Sequence, residues 1–593
     1  MMTRARIVLA SLVAATTTAG AAPSVHTHVG EVRACHPLGG GDFLVGTGGG
    51  LVRVDARGTT HAVWTAVDGL PGTRIDSISS VGDQLWVGTE TGAATVTLDG
   101  ARLAVTRTVD THSVRDLIAF SGATYVATWE GGIKKLGADG SLTTVAFRGG
   151  TRSRSTAATQ SRSRIAALAV ADGSLWAGTA GGLYRMRSGQ FELVTIETGA
   201  NEVTSLYGDG RVLWIATTAG LYAREGTTVR GYGGGDLRRV TRVDGEIVAA
   251  GIGGRAVRVD RGRLAATTLP DALVMTQALA EREGAACAGG LDGLWLRARK
   301  GAAWIAAARP AGPPANDISA LAVDGDRLWV GTFDQGLAIY EHGAWKRFTH
   351  AKIDHRVNAL LVEERAGSTS RIWVATATGI SVIDGTSVSQ LGKRDGLPAR
   401  GVLSLAKLRD GRILAGTMHG AAILGAGRPI AIGMKQNLEA TNVWAVAETE
   451  DGSIWLGTTT GLYRGRADDK EWTRYSVATG HLRDDWVMAL APRGAAVWVG
   501  TYKGGVIRFE TAAEAVTATA LGDGWINPGG LRWHGETLYA STMEGVRTSD
   551  GASAMWTSVH GMPGKDTTAT ATLGTTLWVS TRRGLVARVG RPG

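Results

Sequence analysis

The chain has 593 residues, of which 86 are glycine and only 13 proline; this glycine-rich, proline-poor balance excludes collagen and a proline-rich disordered chain. Hydrophobic residues make up 44% and charged residues 20%, enough for a sizeable core and for more than one domain. The formal charge of +10 is scattered with no run of five Lys or Arg, so no nucleic-acid partner is expected, and two cysteines are too few for a zinc or iron–sulfur site, so no cofactor is expected either.

In chain order, Arg4 and Arg6 precede the apolar stretch Ile7 to Ala15, and Ala19-Gly20-Ala21 offers a cleavage site. Residues 1–22 therefore read as a secretory signal, and the mature protein as periplasmic or secreted. No later stretch reaches 18 uninterrupted apolar residues, so no membrane span is expected.

From residue 43 onwards one phrase recurs: an apolar residue, often Trp, a small apolar residue, Gly or Ala, Thr, two variable residues, Gly, then an apolar pair. Clear copies run from Leu85, Leu175, Leu213, Leu328, Ile372, Ile454, Val497 and Leu577, and weaker ones from Phe43, Thr124, Ile247, Ala286, Ile413 and Leu538. The Thr position falls at 47, 89, 128, 179, 217, 251, 290, 332, 376, 417, 458, 501, 542 and 581. Apolar and small residues alternating before a glycine turn make a buried β-hairpin. Further alternation upstream (Ile318 to Val323) and downstream (Ala344 to Phe348) gives four short strands per copy, one propeller blade. The expected fold is all-β, with 14 four-stranded blades in two tandem seven-bladed β-propellers. The proline cluster Arg309 to Pro314 lies between the seventh and eighth copies, which sets the first propeller at 23–308, a linker at 309–316 and the second propeller at 317–593. The widest gap holds a Ser/Thr/Arg stretch, Gly149 to Arg164, whose Arg152, Arg154, Arg162 and Arg164 read as a solvated loop or as a dock for an acidic polymer.

The copies resemble the two-component regulator propeller repeat, including its Asp-Gly-Leu-Pro opening at Asp68 to Pro71 and Asp395 to Pro398 and a degenerate His560 to Pro563. That resemblance implies the propeller part of an exported sensor that recognises carbohydrate or another external ligand, here without the family's kinase. It leaves open whether a separate kinase receives a signal.

The Trp column (Trp86, Trp176, Trp214, Trp329, Trp373, Trp455, Trp498, Trp578) reads as packing between blades rather than as a sugar platform. The glycine clusters read as turns, because no helix follows to complete a phosphate loop. The turns after the Thr positions share a face with the connections between blades, and in the second half they are richer in functional side chains. Phe333, Asp334, His419, Tyr502, Lys503 and Glu544, with Asp485, Trp486 and Trp525 from the connections, are the candidate ligand-binding residues for a glycan, a peptide or a protein partner. No catalytic or metal-binding motif is present, and the expectation is a binding protein rather than an enzyme. The rival is a glycoside hydrolase using two carboxylates such as Asp334 and Asp485; against it, the Ser-x-Asp-x-Gly-x-Thr-Trp boxes of the xyloglucan-degrading two-propeller enzymes are missing, Ser549-Asp550-Gly551 before Trp556 being a poor match. Finally, Cys35 and Cys287 fall in the first and seventh copies, which meet when a seven-bladed ring closes. They are either a disulfide across that seam or two small buried hydrophobes.

Overall fold

The computed structural model describes residues 23–589 except 101, 149–162, 197–201, 268, 271–272, 426, 440–441, 513–514 and 523. The proposed signal, Arg152, Arg154 and Arg162 lie outside the described residues. Among the described residues the chain forms fourteen sheets, one per copy of the repeat, each built on antiparallel hairpins. The first contains β2 (Val32–Pro37), β3 (Phe43–Thr47), β4 (Gly50–Val54) and β5 (Thr60–Trp64) in chain order; a three-residue strand, β1 (Ser24–His26), precedes them.

The repeat has a local cause. In twelve sheets the marker threonine turns its hydroxyl into the hairpin and donates to a carbonyl three or four residues on, as Thr47 does to Gly50 at 2.8 Å and Thr332 to Gly336 at 2.9 Å. The same oxygen accepts an amide from the turn, so one side chain satisfies two groups of a reversing backbone. The glycine that follows has φ 144° at Gly50, and a Cβ there would lie 2.7 Å from the Trp64 carbonyl oxygen of the neighbouring strand. The Asp-Gly-Leu opening is a second device. Asp68 accepts the Thr65 amide at 2.8 Å, Gly69 takes φ 96°, and Leu70 is buried. Gln436-Asn437-Leu438 performs the same steps with other side chains: Gln436 accepts the Gly433 amide, Asn437 has φ 60°, and Leu438 is buried. All eight Trp of the column are buried, as inter-sheet packing requires.

The first strands of successive sheets pack side by side, and the sequence of contacts closes twice. β2 lies against Ile75–Val81 and, at the other side, against Thr276–Arg282; Ile318–Asp324 lies against Val357–Glu363 and Thr567–Leu573. Sheets 1–7 and 8–14 are thus two closed circles of first strands.

Two expectations need correction. Not every sheet has four strands: the fourth has five, because Phe147–Arg148 runs parallel to Gln190–Val194 at its edge. Nor does residue 23 open the first seven sheets. β1 pairs antiparallel with Gly584–Val589 and supplies the outer strand of the last sheet, Val25 standing opposite Val586. The last sheet is thus completed by a strand from the opposite end of the described residues. There the His26 ring packs 5.1 Å from Trp578, and Asn316 fixes the exit of the strand, accepting the His28 amide at 2.7 Å and donating to the His28 carbonyl at 2.8 Å. Arg583 and Glu90 form an ion pair at 3.2 Å between the two sets of sheets.

It follows that a cut between Ala311 and Asn316 will not free two independent halves. The nicked protein is expected to elute as one species in gel filtration, held by β1. Separate elution without denaturant would contradict the shared sheet.

Candidate functional site

Each set of sheets encloses a central cavity to whose lining all seven members contribute. The expected site on the last seven sheets is partly assembled. Trp486 leaves the connection before Val487–Arg493, Tyr502 sits in the next hairpin turn, and Trp525 precedes Ile526–His534. Their rings form a row, with centroids 4.8 Å apart for Trp486 and Tyr502 and 5.4 Å for Tyr502 and Trp525. The Lys503 ammonium lies 5.8 Å from the centroids of both Tyr502 and Trp525. Trp486 and Trp525 are 37% and 44% exposed, unusual for indoles in a chain that buries its repeat tryptophans. The backbone holds the row: the Tyr502 amide donates to the Trp486 carbonyl at 2.8 Å, and Asp484 accepts the amides of Lys503 at 2.7 Å and Trp486 at 3.2 Å. Asp484, not among the expected residues, is therefore the organiser. Its neighbour Asp485 accepts the Val477 amide at 2.7 Å and fixes the connection.

The other candidates stand apart from this row. Phe333, 47% exposed, lies under the Arg582 guanidinium at 5.2 Å, and Arg582 pairs with Asp317 at 2.8 Å. Burial raises the Asp317 carboxyl, Arg582 opposes that, and the charge of nearby Asp334 raises it further. His419 is exposed, its amide donating to Thr417. Glu544 is exposed and pairs with Arg547 at 3.2 Å.

The first seven sheets hold what sequence reasoning missed. In every sheet the ladder skips after the first residue of the first strand: Val32 faces Thr47 and Ala34 faces Gly46, leaving Arg33 unpaired. Such a bulge re-aims a side chain, and in the first set it brings one residue from each sheet to the central cavity. The skipped residues of the first set include Arg33, Asp76, Arg115 and Arg238, with Ala166, Thr204 and Gln277 between them. They line a cavity of about 330 Å³ together with Trp129, Glu202 and Arg239. The equivalent positions of the second set are neutral, among them Ser319, Asn358, Leu403 and Trp444, around a cavity of about 230 Å³. The signal was legible as a charge directly after the first apolar residue of four inner strands, at Arg33, Asp76, Arg115 and Arg238.

Asp76 is the hub of the charged set. Its carboxylate accepts Arg33 Nε at 2.7 Å, Arg74 at 2.9 Å and the Ser113 hydroxyl at 2.7 Å, and lies 3.5 Å from Arg115. Burial alone would raise its pKa; the pull of Arg33, Arg115 and Arg74 outweighs burial and holds it at about 2. Arg239 shows the opposite balance. It is driven down to about 10 by burial, against the attraction of Asp116, whose own oxygens take the Leu168 and Leu117 amides and the Ser79 hydroxyl.

At the first seam Cys35 and Cys287 are joined by a disulfide, Cα atoms 6.3 Å apart, and Cys287 is fully buried in the Trp position of its copy. Among the described residues, no group of three His, Cys, Asp or Glu is placed to hold a metal, and no helix is long and apolar enough to cross a membrane.

Among known proteins, the family model described as two component regulator propeller matches residues 437–460, the stretch that begins at Asn437 of the Gln-Asn-Leu turn and runs through the next hairpin. No curated protein matches the chain significantly. Among solved structures, PorZ, an essential bacterial surface component of the type-IX secretion system of Porphyromonas gingivalis, is 14% identical with a TM-score of 0.69, over 96% of this chain and 87% of its own. An ancestral GH74 enzyme is 13% identical with a TM-score of 0.70, over 96% of this chain and 99% of its own. Both likenesses concern the fold.

Proposed function

We propose that this chain is an exported, non-enzymatic binding protein built of two seven-bladed propellers in tandem, which recognises a carbohydrate or peptide through the turns and connections of the second. The two closed circles of first strands support the division into sevens. The observation that carries the function is the exposed row Trp486, Tyr502 and Trp525 with Lys503 beside it: flat apolar faces with a cation at their edge suit stacking on a sugar or on a peptide side chain.

A glycan and peptide array with the mature protein supplies the ligand, and calorimetry on that ligand supplies the test. Trp486→Ala and Tyr502→Ala should each weaken binding by about 1–3 kcal/mol, the cost of a stacked aromatic anchor, whereas Trp129→Ala in the first propeller should leave it within about 0.5 kcal/mol. The reverse order would move the site to the first propeller. The rival reading, glycoside hydrolysis by Asp334 and Asp485, requires release of new reducing ends from the bound glycan. Asp485 is committed to the Val477 amide, so Asp485→Asn is expected to perturb the connection rather than abolish a reaction.

A further inference from the structure

In the lining of the charged cavity of the first seven sheets, cations outnumber anions. Four guanidinium groups reach its wall, from Arg33, Arg115, Arg238 and Arg239, against the carboxylates of Asp76 and Glu202. Arg33 pairs with Asp76 at 2.7 Å and also with Glu31, and Arg238 pairs with Asp236 at 2.7 Å. Arg115 and Arg239 are served less well. Arg115 lies 3.5 Å from an Asp76 already engaged by three closer donors, rests 4.8 Å from the Trp129 centroid, and keeps its Nε buried without a partner. Arg239 donates its Nε to the Gln277 carbonyl, a neutral acceptor, and the carboxylate that attracts it, Asp116, already accepts the Leu168 and Leu117 amides and the Ser79 hydroxyl.

Buried cations of this kind are costly unless paired, and the fold does not demand them. The last seven sheets close the same circle with Ser319, Asn358, Leu403 and Trp444 at equivalent bulges. The charges therefore serve something other than closure. We propose that this cavity is a second binding site, taking the oxyanion, carboxylate or phosphate, of a ligand of monosaccharide size, with Arg115 and Arg239 as its principal donors and Asp76 positioning Arg115. Guanidinium forks match both oxyanions, and a volume of about 330 Å³ admits one sugar unit.

The test is calorimetry on the full chain with three probes of one skeleton: galactose, galacturonate and galactose 1-phosphate. At least one acid is expected to bind where galactose does not, more weakly as salt rises, and the acid that binds names the oxyanion. Arg115→Gln and Arg239→Gln should each weaken that binding about tenfold or more, the worth of a charge-assisted hydrogen bond, while Lys346→Gln, an equal loss of charge on an exposed strand, should not. Binding of neither acid at millimolar concentration, equal binding of galactose, or retained affinity in both arginine variants with unchanged circular dichroism would overturn the proposal. Should the variants fold poorly, the comparison of the three probes on the unaltered chain decides it.

Discussion

Asp76→Asn is expected to destabilise the protein by about 3–5 kcal/mol, because it removes the one fully buried anion that Arg33, Arg74 and Arg115 share and leaves Glu31, paired with Arg33, as the remaining anion beside them. The wild-type carboxylate also predicts an acid dependence. Its pKa is 3.8 unfolded and about 2 folded, so the folded form holds the proton less tightly. The stabilisation is complete above the unfolded value and disappears as pH falls through the folded one; the shift corresponds to about 2 kcal/mol. Urea unfolding followed between about pH 5 and pH 2 should show that loss in the wild type, and a flatter profile in Asp76→Asn over the same interval. An Asp76→Asn protein as stable as wild type would mean that the arginines are neutralised elsewhere.

The second large effect concerns the seam of the first seven sheets. Sheet 1 and sheet 7 are each built from their own stretch of chain, and no strand of one joins the ladder of the other. The seam rests on side-chain packing, with Gly289 so close to Val32 that a Cβ would lie 2.3 Å from Val32 Cγ1, and on the Cys35–Cys287 disulfide, which closes a loop with a sequence separation of 252. Replacing both cysteines with serine should cost about 2–5 kcal/mol, through the freedom returned to the unfolded chain and the polar groups left in a buried seam. Differential unfolding of the double variant measures it. Mass spectrometry of the protein unfolded in alkylating reagent checks the bond itself, since two alkylated cysteines would rule the staple out.

Much of this architecture was legible in the sequence because the repeat spells out its own turn chemistry. A threonine that bonds across the hairpin and a glycine under a neighbouring carbonyl tolerate few substitutes, so the copies stay recognisable at Thr47 or Thr458 alike. Gln436-Asn437-Leu438 was hidden because Gln accepts the same amide as Asp, and Asn tolerates the left-handed conformation of Gly. The row of Trp486, Tyr502 and Trp525 was legible because turn and connection share one face. Which carboxylate organises it was not, since Asp484 and Asp485 are neighbours and only backbone direction separates their partners. The charged bulge was overlooked because attention to turns passes over an inner strand, where a charge reads as an interruption. β1 escaped for a different reason: three residues, Ser24–His26, carry no period, and their partner lies at the far end of the chain.

That partnership gives assembly a fixed order. During synthesis Ser24–His26 are made well before Gly584–Val589, and their place in the last sheet does not exist until those residues have followed. At about 5–20 residues per second the interval is on the order of half a minute to two minutes. The first seven sheets, whose circle needs nothing beyond the seventh copy, have that time to fold. The last sheet cannot close until then, when Gly584–Val589 meet a strand that has waited through the synthesis of every sheet between.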